Sequence, residues 1–308
     1  MTAQNMTAAA ALRLANPRSW VAAVYPALFG ALYCLAEGYP LTVQTGLLLL
    51  LACVLMQSAV NTLNDYFDFV KGTDQASDFV EKRDAVLIYE GIAPKQALGL
   101  GLAFLAAAAA VALPVVLSAG MAPLVIGIIG GLAVLTYSGG ILPLSYLPVG
   151  EFVSGLVMGG LIPMGVVASA TGRFDVQVLW WSAPFIVGIG LIMMTNNTCD
   201  IEKDRQARRR TFPAVLGRCR ARCVYRGAVL LWIVLLCLMP LGYMGGTGAV
   251  SALVLLTAGR KVFGMLLTTS LEPQKRVEQM KGIVLANVIG NGAYILALLS
   301  YLAVGGLW

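Results

Sequence analysis

The sequence predicts an all-α, polytopic membrane protein with about nine transmembrane helices. Of its 308 residues, 59% are hydrophobic and only 12% are charged, whereas soluble domains carry roughly a quarter charged residues. Apolar runs of about 18 residues or more, long enough to cross a bilayer as a helix, recur along the chain. No long polar stretch separates them, so we expect one integral-membrane domain over 1–308 that begins with a cytoplasmic N-terminal segment, 1–18.

The apolar runs define the expected spans. The fourth is short, and the eighth is interrupted by charge near Arg260. The nine expected spans are approximately 19–36, 43–63, 97–118, 122–138, 151–171, 177–198, 224–244, 247–268 and 284–306.

The basic residues predict the orientation of these spans. With the N-terminus inside, every Lys and Arg of the 21 except Arg173 falls on the inner side, as the positive-inside rule requires. Inner connections are long and charged, while outer ones are short. We therefore expect a multi-pass protein of the inner (plasma) membrane, with its N-terminus and its functional site on the cytoplasmic face.

Two acidic stretches follow even-numbered spans and must therefore emerge on the same face. Asn64-Asp65-Tyr66-Phe67-Asp68 follows the second span, and the stretch from Asn196 to Asp204 follows the sixth. Four spans separate the two stretches, which is consistent with a weak duplication of a four-helix unit.

These stretches predict a site for a metal and a phosphate. Asp65 and Asp68 are three residues apart and Asp200 and Asp204 are four apart, so on a helix each pair shares one face. Carboxylate oxygens suit Mg²⁺, whose coordination is usually completed by water and substrate phosphate. Lys71 and the arginines at 208–210 follow the two pairs and suit phosphate oxygens. Beside apolar spans, this pattern indicates a diphosphate head on a lipid tail.

Other functions are also compatible with parts of the pattern. The basic run 205–222 is typical of a solvated loop that fixes topology or contacts anionic lipid. A transporter would use such carboxylates as coupling sites, although these more often lie near the bilayer midplane. A non-catalytic scaffold gives no reason for two matched acidic clusters. The chain has no histidine and its six cysteines are scattered, which argues against zinc; we expect no nucleic-acid partner.

The two motifs resemble those of the UbiA superfamily of intramembrane prenyltransferases. The similarity covers Asn64-Asp65-x-x-Asp68 with Lys71-Gly72 and Asp74, and Asn196-Asn197-x-x-Asp200-x-x-x-Asp204 with Thr211 and Gly217. The resemblance implies two four-helix-like halves around a central cavity. It also implies Mg²⁺-dependent transfer of a polyprenyl group from polyprenyl diphosphate, within the lipid bilayer, to an aromatic acid.

The acceptor implied by the resemblance is 1,4-dihydroxy-2-naphthoate, prenylated with loss of its carboxyl group to give demethylmenaquinone in menaquinone synthesis. The paired Asn196-Asn197 and the stretch from Tyr137 through Tyr146 to Glu151 are similar to that branch. Cys199 replaces a usual arginine, Arg208 replaces a common glycine, and the 82–91 loop lacks an Arg-Pro pair. The acceptor is therefore left open among this acid, 4-hydroxybenzoate, homogentisate and a tetrapyrrole.

The resemblance also implies a role for each matching residue. The expected metal ligands are Asp65, Asp68, Asp74, Asp200 and Asp204. The expected catalytic residues are Asp65, Asp68, Asp200 and Asp204, with Tyr137 and Tyr146 near the cation or the acceptor. The expected substrate-binding residues are Asn61, Asn64, Lys71, Arg83, Asn196, Asn197 and Arg209.

Overall fold

The described part of the protein is helical, which confirms the predicted all-α class. The computed structural model describes residues 5–73, 79, 81 and 85–305, so the expected site residues Asp74 and Arg83 lie outside the described residues. The helices are α1 Ala8–Ala15, α2 Val21–Ala36, α3 Val43–Val70, α4 Val86–Tyr89, α5 Pro94–Ala119, α6 Met121–Ser138, α7 Gly150–Thr171, α8 Gln177–Trp181, α9 Ala183–Cys199, α10 Ile201–Gln206, α11 Phe212–Leu216, α12 Arg218–Met244, α13 249–268 and α14 Arg276–Ala303.

The number of spans is the part of the prediction that is not confirmed. Among the described residues, seven helical runs are long and apolar enough to cross a membrane. One of them, Arg218–Thr268, reverses at the turn Gly245–Gly248, where the Ser251 hydroxyl donates to the Leu236 carbonyl at 2.7 Å. The expected sixth span is a shorter apolar helix, Ala183–Cys199. The protein is a multi-pass membrane protein, and nine spans stays a prediction.

Two helices differ from their expected bounds in ways that matter for the site. Helix α3 continues to Val70 instead of ending near residue 63, so the first acidic motif lies on its last turns. The Thr42 hydroxyl caps its N-terminus by accepting from the Thr45 amide at 3.1 Å. Helix α14 begins at Arg276, eight residues before the expected start at 284, so its first turns carry charged residues at the end that was expected inside.

Aromatic packing joins the first, middle and last spans. The ring of Phe29 on α2 lies 4.9 Å from that of Phe185 on α9, between ring centroids. Phe185 stacks on Tyr294 of α14 at 5.5 Å, and all three side chains are fully buried. The first and last spans therefore meet in one apolar core, with α2 packed on both α7 and α14.

Polar contacts join connections that were expected on the same side of the membrane. On one face Glu81 pairs with Arg18 at 3.1 Å and with Lys281 at 2.5 Å, which joins three segments that were expected inside. On the other face the Tyr39 hydroxyl donates to Asp175 at 3.1 Å. Asp175 and Tyr39 belong to connections that were expected outside.

A π-helical turn, Gly155–Leu161, brings α7 against α9. A Cβ on Gly159 would overlap the backbone of Ile186, and one on Gly155 would overlap the Ile186 carbonyl. Both glycines are buried. The absence of side chains here therefore lets the two backbones approach closely, as small residues do between membrane helices.

We expect Gly159→Ala to destabilise the protein by about 1–3 kcal/mol, because the added methyl group has no space beside Ile186. Gly131→Ala is the matched control, because a Cβ there meets nothing within 4 Å. The control should leave stability unchanged or raise it, since alanine favours helix. Thermal unfolding of both variants in detergent checks this, and equal midpoints for the two would contradict it.

Candidate active site

The last turns of α3 hold the first acidic motif in a network with the end of α6. The Asn64 amide donates to Asp68 Oδ2 at 3.2 Å, while its own Oδ1 accepts from the Ser138 hydroxyl at 2.5 Å. Lys71 Nζ donates to the Ser138 carbonyl at 2.8 Å. Asp65 lies one turn before Asp68 and is half-buried. Asn64 therefore fixes the Asp68 carboxylate, and the network ties α3 to α6.

The second motif turns the chain between α9 and α11. Asp200 lies between α9 and α10, and its carbonyl accepts from the Asp204 amide at 2.8 Å. The Asp204 carboxylate is 1% exposed and accepts from the Thr211 hydroxyl at 2.8 Å. The Arg209 amide donates to the Asp204 carbonyl at 2.7 Å, across a turn in which Arg208 has φ 57°. These bonds carry Arg209 back over Asp204.

Arg209 brings the two motifs together. Its Nη1 lies 3.5 Å from Asp68 Oδ2, and its Nε lies 3.4 Å from Asp204 Oδ1. The side chains of Arg209 and Asp68 are each 8% exposed. Since buried charges persist only when they are compensated, the guanidinium and the two carboxylates form one electrostatic unit.

Burial shapes the ionisation of this unit. Burial raises the pKa of Asp204 to about 6, against the opposing effects of Arg209 and the Thr211 hydroxyl. For Arg209, burial lowers the pKa, but Asp68 and Asp204 outweigh it and leave the pKa above its ordinary value. Arg209 therefore remains a fixed positive charge between carboxylates.

Tyr146 lies beneath two cations. Its ring centroid is 4.8 Å from Lys71 Nζ and 5.1 Å from Arg209 Cζ, within the range of cation–π attraction. Its carbonyl accepts from the Arg210 amide at 2.9 Å. Burial lowers the pKa of Lys71 and nearby Arg209 adds to this, whereas Asp68 raises it. Tyr146 thus supports a basic cluster beside the carboxylates.

An arginine from the last helix completes the second motif. Arg276 Nε lies 3.0 Å from Asp200 Oδ1, and its Nη2 donates to Asn196 Oδ1 at 2.5 Å. Sequence reasoning used Arg276 only as a marker of the inner face, because its partners lie 76 and 80 residues away along the chain. The one feature of the sequence that could have indicated Arg276 was its position as a basic residue in a connection expected on the inner side.

The second asparagine of the motif contacts α7. Asn197 Nδ2 donates to Glu151 Oε1 at 2.8 Å, and both residues are buried. Sequence reasoning included Glu151 only as part of a similar stretch and gave it no role. The Tyr137 hydroxyl lies where Glu151, Arg209, Asp68 and Asp204 all act on it electrostatically.

Other residues named from the sequence have different contacts or lie outside the described residues. The Asn61 amide donates to the Ala15 carbonyl at 2.9 Å and to the Ser19 hydroxyl at 2.7 Å, and these two bonds join α3 to the N-terminal segment. Cys199, which stands where the similar branch usually has arginine, is buried, and its thiol lies 3.0 Å from Gln279 Oε1. Asp74 and Arg83 lie in the part that is not described.

A pocket of about 440 Å³ lies on the basic side of Arg209. Its wall combines arginine side chains with a small apolar surface from α11. The lining residues are Arg205, Arg208, Arg209, Arg210, Ala214 and Val215. The guanidinium that bridges the two motifs therefore also lines a positively charged pocket suited to anions.

Comparison with known proteins places the chain in a family. The model of the UbiA prenyltransferase family matches residues 23–283. A relative from Bacillus subtilis, 1,4-dihydroxy-2-naphthoate octaprenyltransferase, is 31% identical over 71% of this chain and 67% of its own. A Danio rerio protein, UbiA prenyltransferase domain-containing protein 1, is 29% identical over 78% of this chain and 70% of its own.

Solved structures share the fold. A UbiA homologue from Archaeoglobus fulgidus, bound to DMAPP and Mg²⁺, matches with a TM-score of 0.63 at 16% identity, over 92% of this chain and 98% of that one. The family match covers both acidic motifs and the Arg209 bridge between them. The chain therefore belongs to the UbiA prenyltransferase family and is a membrane-spanning prenyltransferase.

Proposed function

We propose that this protein transfers a polyprenyl group from polyprenyl diphosphate to 1,4-dihydroxy-2-naphthoate, with loss of the acceptor carboxyl group, to give demethylmenaquinone. The observation that carries the reaction is the convergence of Asp68, Asp204 and Arg209 at one buried point. The naphthoate as acceptor is supported by the Bacillus subtilis relative and by the paired Asn196-Asn197.

Mg²⁺ fits the donors of this site. Asp65, Asp68, Asp200 and Asp204 offer only oxygen atoms at the inner ends of α3 and α9, which is the ligand type that Mg²⁺ prefers. Among the described residues no three acidic, Cys or His side chains already form a metal-binding group. Three of the carboxylates, those of Asp68, Asp204 and Asp200, contact arginine. Bound Mg²⁺ would neutralise the charge that develops on the leaving diphosphate.

The cations of the site are suited to the diphosphate. Arg209 and Arg276 each contact a motif carboxylate and can present further N–H groups to phosphate oxygens. Lys71 lies beside Arg209 over Tyr146. These fixed positive charges stabilise the departing diphosphate as the allylic C–O bond breaks.

The allylic carbocation that forms is then attacked by the electron-rich ring of the acceptor. The site lies at the inner ends of apolar helices, which suits a prenyl tail and limits water near the cation. Tyr137 and Tyr146 are aromatic residues of the same region, although Tyr146 already supports Lys71 and Arg209. We assign orientation of the acceptor ring to Tyr137. We assign to Tyr146 the support of Lys71 and Arg209, the cations that bind the diphosphate.

We also infer that the site faces the cytoplasm from the inner membrane. All basic residues but Arg173 were expected on this side. Glu81 joins Arg18, from the N-terminal segment, to Lys281 on α14 at the same face. This distribution is the one that the positive-inside rule gives for a bacterial inner membrane.

The reaction is tested with purified protein in detergent, polyprenyl diphosphate and one acceptor at a time. We expect product from 1,4-dihydroxy-2-naphthoate with Mg²⁺ and none with EDTA, because the carboxylates alone cannot neutralise a diphosphate. Product from 4-hydroxybenzoate, homogentisate or a tetrapyrrole instead would retain the mechanism and change the acceptor. Absence of product from all four would contradict the proposed function.

Arg209→Lys should lower activity about a hundredfold or more, because one ammonium cannot reach both Asp68 and Asp204, and breaking a buried pair costs roughly 3–5 kcal/mol. Arg220→Lys is the matched control, because Arg220 is exposed and does not line the basic pocket. Initial rates and unfolding midpoints of both variants check this. Equal activity of the two variants would show that the bridge is dispensable.

Arg276→Gln should raise the KM for polyprenyl diphosphate roughly tenfold, which corresponds to the loss of one charged hydrogen-bond partner. The KM for the acceptor should change little. Lys275→Gln, at the exposed neighbouring residue, should leave both constants unaltered. Steady-state kinetics with each substrate varied in turn would refute a role for Arg276 in diphosphate binding if only the acceptor KM changed.

A further inference from the structure

Three buried oxygen atoms in the segment from Tyr137 to Glu151 have no hydrogen-bond partner among the described residues. They are the Tyr137 hydroxyl, Ser145 Oγ and Glu151 Oε2. Ser145 and Glu151 are 2% and 7% exposed. Buried polar atoms in proteins are nearly always bonded, since an unpaired one costs about 1–3 kcal/mol. Three such atoms in one short segment indicate that something outside the described chain bonds to them.

The three atoms belong to the same region of the site. The Ser145 carbonyl lies 3.5 Å from Arg209 Nη2, and Gly150 packs directly on the Ser145 backbone, which places Ser145 beside Glu151. Among charged side chains, Glu151 has the largest electrostatic effect on the Tyr137 hydroxyl. Ser145 therefore lies between Arg209 and the start of α7, where Glu151 is located, and the Tyr137 hydroxyl is near enough to Glu151 to be affected by its charge.

The Glu151 carboxylate is held in a fixed orientation. Its Oε1 accepts from Asn197 Nδ2 at 2.8 Å, and Asn197 is itself 2% exposed. Oε1 is thus occupied by the second motif, whereas Oε2 has no hydrogen-bond partner of good geometry among the described residues, although the backbone N–H of Phe212 lies near the carboxylate. In its ionised form the Glu151 carboxylate can only accept hydrogen bonds, so the partner that this form requires is a donor.

This requirement distinguishes between the two substrates. A diphosphate is anionic and has no donor when fully ionised, so it would be repelled by Glu151. A phenolic acceptor carries ring hydroxyls, which donate well to a carboxylate. We propose that Glu151 binds a ring hydroxyl of the aromatic acceptor, with the Ser145 and Tyr137 hydroxyls bonding its other oxygen atoms; this inference rests on the proposed function.

The same bond activates the acceptor. A hydroxyl that donates to a carboxylate gains electron density on oxygen, which passes into the ring and makes its carbon atoms more nucleophilic toward the carbocation. Asn197 acts through Glu151 as a positioning residue, because it orients the carboxylate and contacts it directly. The two asparagines of the second motif thereby act on different substrates in this proposal. Asn196 contacts Arg276, which is assigned to the diphosphate, and Asn197 contacts Glu151, which is assigned to the acceptor.

The test replaces Glu151 with glutamine. Glu151→Gln retains an oxygen for Asn197 but turns a donor toward the acceptor hydroxyl in place of the free carboxylate oxygen. We expect the acceptor kcat/KM to fall at least about tenfold, the loss expected for a hydrogen bond to a charged group. The KM for polyprenyl diphosphate and the unfolding midpoint should stay near those of the parent. Glu90→Gln, whose carboxylate pairs with Arg13 away from the site, is the control.

A second arm uses the acceptor with its ring hydroxyls methylated. If Glu151 accepts from a hydroxyl, methylation of the acceptor should lower the kcat/KM of the parent protein about as much as Glu151→Gln lowers it with the free acceptor. Methylation should lower the kcat/KM of the Glu151→Gln variant little further. If methylation lowered the acceptor kcat/KM by the same factor in both proteins, the proposal would be overturned. Ser145→Ala gives a second, milder variant if Glu151→Gln unfolds, and it should raise the acceptor KM alone.

The outcomes separate this inference from the reaction itself. A parent protein that prenylates none of the aromatic acceptors overturns the proposed function and this inference with it. A parent that is active, with Glu151→Gln and Ser145→Ala equal to it, overturns the role of Glu151 alone. A rise in the KM for polyprenyl diphosphate that matches the acceptor effect would place Glu151 at the diphosphate and overturn acceptor binding.

Discussion

The contact of one guanidinium with two buried carboxylates is the constraint on which the site depends. Asp68 comes from α3 and Asp204 from α10, and the charges are compatible with burial only because Arg209 lies between them. The turn at Arg208 and the hydrogen bond from the Arg209 amide to the Asp204 carbonyl position that guanidinium between the two carboxylates. Removal of the arginine would leave two carboxylates repelling each other, so the two halves of the protein are joined electrostatically at the point where chemistry is proposed.

Around this bridge, most motif side chains are held by a partner from another helix. Asn64 bonds to Ser138 at the end of α6, Asn197 bonds to Glu151 on α7, and Asp200 pairs with Arg276 on α14. Each partner fixes the orientation of one polar group before substrate arrives. Such preorganisation matters because reacting groups must be positioned within a fraction of an ångström. The site is therefore assembled from six helices, α3, α6, α7, α9, α10 and α14.

The sequence predicted the fold class and the two motifs because these depend on local features: apolar runs of membrane length, the side on which basic residues fall, and carboxylates at helical spacing. Arg276 and Glu151 were not predicted, because their roles arise from contacts 76 and 46 residues away along the chain. Asn61 shows the opposite case. Its spacing suggested the site, but the packing of the N-terminal segment against α3, which no local pattern encodes, engages its amide.

The position of Arg276 on the last helix has a consequence for biosynthesis. The carboxylates of α3 and of the second motif emerge from the ribosome long before α14, yet Asp200 receives its arginine only once α14 has been made and packed against α9. Nascent chains that stop before residue 276 would insert most of their helices and still hold an uncompensated carboxylate at the membrane boundary. Completion of the candidate active site is thus coupled to the synthesis and packing of α14, so a partly synthesised protein lacks the Asp200–Arg276 pair of that site.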